Sequence, residues 1–416
     1  MQKRPFGAAF ASLQGRLMVM ASAPRRPSGG IPRGLAQGGP VLLSYGFRPF
    51  FLGAGIWAVA AMALWIWALS GGPQPGGAYG AANWHMHEML FGFASAALAG
   101  FLMTAVPNWT GRMPVSGAPL AALAALWLAG RLMLAVPLDA LWLALAVEAL
   151  FLPVMAAVFL TEIVAGRKWR DLKVVELMAL IALANFSFHA AVLGGGDPRL
   201  AARAAVAGVV VLILIVGGRI TPSFTRNWLA KSRRKARPVP ADRLDAITVA
   251  LSSAVLALWV VQPDSVAVGL GGLAAAALNL LRLARWQGWR VAEPMVLALH
   301  GGYLMVALGF AAIAAAALGG MSHAAALHVF AIGGIGGEML AVMTRASRSH
   351  TGADTDADLL AILSFVAIML AAVARAAADF LAYNTLVMVA GLSWIAAFGL
   401  FTFGHAHLLA ATRRVR

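Results

Sequence analysis

The chain has 416 residues, 61% of them hydrophobic and 12% charged, with no cysteine and a formal net charge of +16. So few charges, with a mean hydropathy of +0.81, exclude an ordinary soluble domain, in which about 25% of residues are charged. The absence of cysteine excludes disulfides, iron–sulfur clusters, covalent c-type haem and thiolate ligands, so any metal must use His, Met or oxygen.

In chain order, residues 1–40 are basic and rich in Gly and Pro, and read as a mobile cytoplasmic arm. They do not read as a signal peptide, because the first strong apolar segment begins late and lacks a small-residue cleavage site. Apolar stretches long enough to cross a ~30 Å hydrocarbon core follow, each near the ~20 residues that a crossing helix needs. They lie near 50–70, 88–107, 117–136, 140–163, 174–193, 202–222, 244–262, 265–284, 294–318, 323–344, 358–378 and 384–408. Their continuous Ala- and Leu-rich character excludes a transmembrane β-barrel, whose strands alternate apolar and polar residues. The expectation is an all-α, polytopic membrane bundle of about twelve transmembrane helices. A basic cytoplasmic linker at 231–243, opening with KSRRKARPVP, divides a first six-helix half (41–230) from a second (244–416), and no sequence repeat relates the two.

The basic excess invites a nucleic-acid reading, and its placement removes it. With twelve alternating helices and both termini cytoplasmic, 28 of the 32 Lys and Arg fall on the cytoplasmic side. Only Arg199, Arg203 and Arg375 fall on the other, with Arg131 inside a span. That asymmetry is the positive-inside rule, so the partner implied by charge is lipid and not nucleic acid. One missed helix would destroy it.

Nine histidines in such a chain are functional candidates, because ionisable groups in a bilayer are costly. His85, His87, His189, His323 and His328 fall toward the periplasmic side, and His300, His350, His405 and His407 toward the cytoplasmic side. Trp84-His85-Met86-His87-Glu88-Met89 packs two imidazoles, two thioethers and a carboxylate into six residues. On a helix the two histidines would point to opposite sides, whereas an extended approach segment would let both serve one site. Imidazole with thioether suits copper or haem iron; an interfacial belt is the plainer alternative. His328 precedes Gly333-Gly334-Ile335-Gly336-Gly337, a small-residue face for a neighbouring helix or a flat macrocycle. His300 precedes Gly301-Gly302-Tyr303, and His189 shares a helix face with Asn185; either histidine is a ligand or a polar contact between helices. His323, His405 and His407 sit at helix ends within reach of water. Glu88, Glu148, Glu176, Glu338, Arg131 and Arg219 lie in or near spans as ion pairs or a proton path, with Glu338, among glycines near Met339, the buried acid of most interest. A haem here would be b-type and non-covalent.

Four stretches resemble one family. LLSYGFRPFFLGAGIWA from Leu42, WHMHEMLFGFASAALAGFLMTAVPNWTGR from Trp84, GGRITPSFTRNWL from Gly217 and HVFAIGGIGGEMLAVMTRASRSHTG from His328 are similar to the NnrS family. The resemblance implies a bacterial inner-membrane protein containing haem and copper, linked to denitrification and to defence against nitric oxide. It also implies that His85, His87, His300, His328 and His350 are the recurrent histidines. The chain departs from the family's pattern at Glu338, where a small or apolar residue is expected, and at its C-terminus.

The expected haem ligands are then His328, His87, His300 and His350, and the expected copper or haem-iron donors are His85, His87, Met89 and His189. Glu88, Glu338, Arg131 and Arg219 are the ion-pair or proton-path set. The ~1.5 Å rise per helical residue separates the two histidine groups beyond one coordination sphere. This predicts two sites, an outer one using His85, His87 and His328 and an inner one using His300 and His350. The first function expected is binding or redox turnover of nitric oxide or a related nitrogen oxide. A transporter or haem/copper-handling protein, and a non-catalytic nitric-oxide-binding sensor or protective protein, are the alternatives.

Overall fold

The computed structural model describes residues 39–135, 141–235, 237–354 and 356–411, so nearly all of the expected N-terminal arm lies outside the described residues. Among the described residues, twelve helices are long and apolar enough to cross a membrane. They are α1 (Phe47–Leu69), α2 (Ala81–Thr110), α3 (Ala118–Ala135), α4 (Leu141–Ala165), α5 (Trp169–Leu193), α6 (Arg199–Lys231), α7 (Arg243–Val261), α8 (Val266–Arg290), α9 (Pro294–Ala317), α10 (His323–Thr351), α11 (Leu359–Ala377) and α12 (Tyr383–Ala410). No strand occurs among the described residues. The face bearing most of the Lys and Arg is called the basic face below, and the other the opposite face.

Short polar residues start several of these helices by taking free backbone N–H groups. Asp242 and Asp245 form a reciprocal capping box at α7, Ser265 caps α8, Glu293 precedes Pro294 at α9, Ser322 caps α10 and Asp358 caps α11. Large apolar side chains such as Ile247, Leu270, Val366 and Phe403 point outward, as a lipid-facing surface requires. The interior is built around α2, α6, α9 and α10, the most buried helices. The two expected halves are joined along α1 and α12, where Trp394 Nε1 donates to the Ala58 carbonyl at 3.0 Å.

Three of the central helices contain π-helical turns, at Glu88–Ala94 in α2, Ile213–Gly217 in α6 and Val329–Gly336 in α10. Such turns release backbone carbonyls and re-aim side chains, and they concentrate at functional sites. In α6 a released carbonyl is reclaimed: Arg282 of α8 donates to Leu214 O at 2.9 Å, to Tyr303 Oη at 2.8 Å and to Asp245 at 2.7 Å. Gly218 lets the guanidinium in, since a Cβ there would collide with it.

The helices overrun their apolar cores. α2 begins at Ala81, not near residue 88, and α6 and α10 run on to Lys231 and Thr351. The extended approach segment considered for Trp84–Met89 is therefore helical. Its helix starts after Gly80, whose positive φ of 85° breaks the chain direction there.

Candidate cofactor and metal sites

Helical geometry across His85-Met86-His87 sends the two imidazoles to opposite sides of α2. His87 turns toward α3, α4 and α5, while His85 turns toward α10. This one fact divides the expected metal set: His87 and His189 stand in one environment, His85 and Met89 in another.

The first environment is a buried polar network. His87, Glu88, Arg131, Glu148, Asn185 and His189 are each at most 5% exposed. His87 Nδ1 donates to Glu88 Oε1 at 2.9 Å, and its Nε2 faces Asn185 Oδ1 at 3.0 Å and Glu148 Oε2 at 3.3 Å. His189 Nε2 donates to Glu148 Oε2 at 2.8 Å while Tyr79 Oη donates to His189 Nδ1 at 3.0 Å. Arg131 reaches Glu148 Oε1 at 2.6 Å and Glu88 Oε2 at 3.3 Å, and Trp57 Nε1 donates to Glu88 Oε2 at 2.7 Å. Gly92 makes the approach feasible, since a Cβ there would lie within 2.8 Å of Glu88, Arg131 and Trp57 atoms.

Charge counting says what this network requires. Two buried carboxylates face one guanidinium, so one further positive charge is needed, because an uncompensated buried charge is costly. His87 meets only acceptors at both ring nitrogens, so either both carry protons or one carries a cation. His87, Glu148 and His189 each offer a ligand atom, and these atoms lie within 4.8 Å of one another. Two imidazoles and a carboxylate fit a borderline divalent ion such as copper.

The second environment is a cavity of about 240 Å³ near the opposite face. His85 and His328 line it, with thioethers from Met86 and Met89 and indoles from Trp65 and Trp394. Trp65 stacks on His85 with centroids 4.5 Å apart and planes 12° from parallel. His328 Nδ1 donates to the Ala324 carbonyl at 2.6 Å, which leaves Nε2 as the unprotonated nitrogen with a free lone pair. His85 Nδ1 is buried without a hydrogen-bond partner, and so is one guanidinium nitrogen of Arg375.

Arg199, Arg203 and Arg375, the three basic residues that fall on the opposite face, all line this cavity. A mostly apolar chamber with two imidazoles, orphaned nitrogens and arginines at the sparse face fits a b-type haem. His85 and His328 would supply nitrogen ligands, and the arginines positive charge for the carboxylate groups of such a cofactor.

The remaining expected residues separate. His350 lines a cavity of about 250 Å³ at the basic face with Arg219 and Arg345, and its ring sits 5.6 Å from Tyr45 and 5.5 Å from Phe47. His300 stands elsewhere: its Nδ1 donates to Val296 O at 2.9 Å and its Nε2 faces Thr225 Oγ1 at 3.4 Å. The glycines after His328 are filled by protein, Gly333 against Met305, Gly334 against Val306 and Gly336 against Trp394. Arg219 is 62% exposed at its side chain and pairs loosely with Asp171 at 3.7 Å. Glu338 is 4% exposed, and among the described residues no ion pair reaches it. Of the bland candidates, His323 pairs with Asp264 at 2.7 Å and His405 donates to Phe401 O at 2.9 Å.

Sequence reasoning did not find Arg375, Tyr79 or Trp57. Arg375 carried a signal, since it breaks the basic asymmetry. Tyr79 and Trp57 carried none, because nothing local distinguishes them from belt aromatics.

No curated protein matches the chain. The sequence model described as NnrS protein matches residues 41–413, nearly the whole length. The chain belongs to the NnrS family.

Proposed function

We propose that this chain is a haem- and copper-binding protein of the bacterial inner membrane that binds nitric oxide or a related nitrogen oxide, in nitrosative-stress defence and denitrification. The carrying observation is the chamber shared by His85 and His328 on two different helices, with Arg375 beside it. His85 and His328 would hold haem b there, and His87, Glu148 and His189 would hold copper. A bound haem would supply an iron able to bind nitric oxide.

The chain's own residues do the rest. His328 is oriented by its bond to Ala324 O, and Trp65 fixes the plane of the His85 ring. Leu90, Phe93, Leu327, Ile332 and Ile335 give the chamber its apolar walls. The His87 network lies on the opposite side of α2 from His85.

Anaerobic titration of the reduced, purified protein with nitric oxide tests the reading. A nitrosyl haem signal in electron paramagnetic resonance is expected, and loss of it in H85A or H328A. Consumption of nitric oxide beyond stoichiometry marks turnover, whereas stoichiometric uptake marks a binding protein. No spectral response to nitric oxide in the haem-loaded protein refutes the proposal.

A further inference from the structure

Glu338 has no role in either site. It lies ten residues after His328 and twelve before His350 on α10, roughly 15 and 18 Å along a helix rising 1.5 Å per residue. It is 4% exposed, and its Oε1 is buried without a hydrogen-bond partner. Among the described residues no ion pair reaches its carboxyl. Gly302 of α9 makes room for it, since a Cβ there would lie 2.9 Å from Glu338 Cγ.

Its surroundings open toward the basic face, and one helical turn separates it from the chamber on the other side. Glu338 lines a cavity of about 60 Å³ between α2, α6 and α10. Phe101, Val216, Ile220, Leu299 and Val342 line both that cavity and the 250 Å³ cavity at the basic face, so the two abut. One turn the other way along α10, Ile335 lines the chamber of His85 and His328. The titratable groups facing this path are Tyr303 of α9, tied to Arg282 and Asp245, and Arg219, Arg345 and His350 at the outer cavity.

We infer that Glu338 is a proton-loading site, filled from water in the basic-face cavity and emptied toward the chamber of His85 and His328. A hard cation would need several oxygen ligands and favours carboxylates, and no other residue lining the small cavity carries a side-chain oxygen. A proton needs one. The void has room for a few waters, each requiring about 10–15 Å³. Loading forms one O–H bond on the carboxylate as a hydronium in the small cavity loses its proton and becomes water; unloading breaks that O–H bond and passes the proton to a water in the chamber lined by Ile335, His85 and His328, which becomes hydronium. One proton moves and no electron does. The site does not depend on what fills the opposite chamber.

Infrared spectroscopy of the full chain in lipid nanodiscs tests this. Wild type at neutral pH shows a protonated-carboxyl C=O stretch that shifts in D₂O. E338Q removes it, and E338D moves it, which keeps the assignment testable should E338Q fold poorly. V342W, placed where the two cavities meet, slows the deuterium shift of that band by about tenfold or more, as a raised barrier requires. Persistence of the band in E338Q, or exchange in V342W as fast as in wild type, overturns the inference. A failed nitric oxide titration would leave it standing.

Discussion

Arg131→Met removes the only guanidinium from the buried network while keeping the length of the side chain. Glu148 Oε1 loses a donor at 2.6 Å and Glu88 loses an ion pair at 3.3 Å. Glu148 Oε2 keeps His189 and Asn185, and Glu88 keeps His87 and Trp57. What remains is two carboxylates and one imidazolium at 0–5% exposure, an excess of one buried negative charge. Breaking a buried pair in this way costs about 3–5 kcal/mol, a large share of the roughly 5–15 kcal/mol that holds a native protein. The double variant R131M/E148Q removes the excess charge. It is expected to regain roughly 1–3 kcal/mol, within the range of measured couplings between contacting residues. Reversible unfolding in mixed micelles, followed by circular dichroism on metal-free protein, measures both. A single variant within about 0.5 kcal/mol of wild type, or a double variant no better than R131M, refutes the reasoning that these charges compensate one another.

H87A and H189A should each abolish copper binding in equilibrium dialysis while leaving haem content unchanged; copper retained at wild-type stoichiometry in both refutes the His87–Glu148–His189 assignment. G92A pushes a methyl among Glu88, Arg131 and Trp57 and should destabilise by about 1–3 kcal/mol through overpacking, whereas G301A, which meets open space, should be near neutral by the same unfolding assay. The Arg285 guanidinium beside Asp242 holds that carboxyl below its ordinary value. Its contribution to stability is therefore present above about pH 4, the unfolded value, and lost as pH falls through the lower folded value. Acid titration of the thermal midpoint should show a fall below that pH that is shallower in D242N; identical profiles contradict it.

The membrane fold was legible because crossing lipid imposes a length and an apolar composition that few other structures share, and because Arg199, Arg203 and Arg375 are so outnumbered. The same excess of hydrophobicity hid the helix ends. Apolar runs stop where His, Thr and Arg begin, yet α2 starts seven residues before its expected span and α10 continues through Arg345 and His350. That offset decided the grouping of His85 and His87, since two residues apart means opposite sides once the segment is helical. Glu148, Arg131 and Asn185 were each visible as costly polar residues in spans. Their convergence depends on how α3, α4 and α5 pack, which no local pattern records. The glycines after His328 show the converse: their small-residue face was evident, and α9 and Trp394 occupy it.

Haem quantification in purified H85A, H328A and H87A bears most directly on the division of α2 into two sites. Loss of the bound b-type haem or a changed optical spectrum is expected in H85A and H328A, with the H87A spectrum unchanged. Full wild-type haem with an unaltered spectrum in an H85A/H328A double variant, or loss confined to H87A, would contradict it.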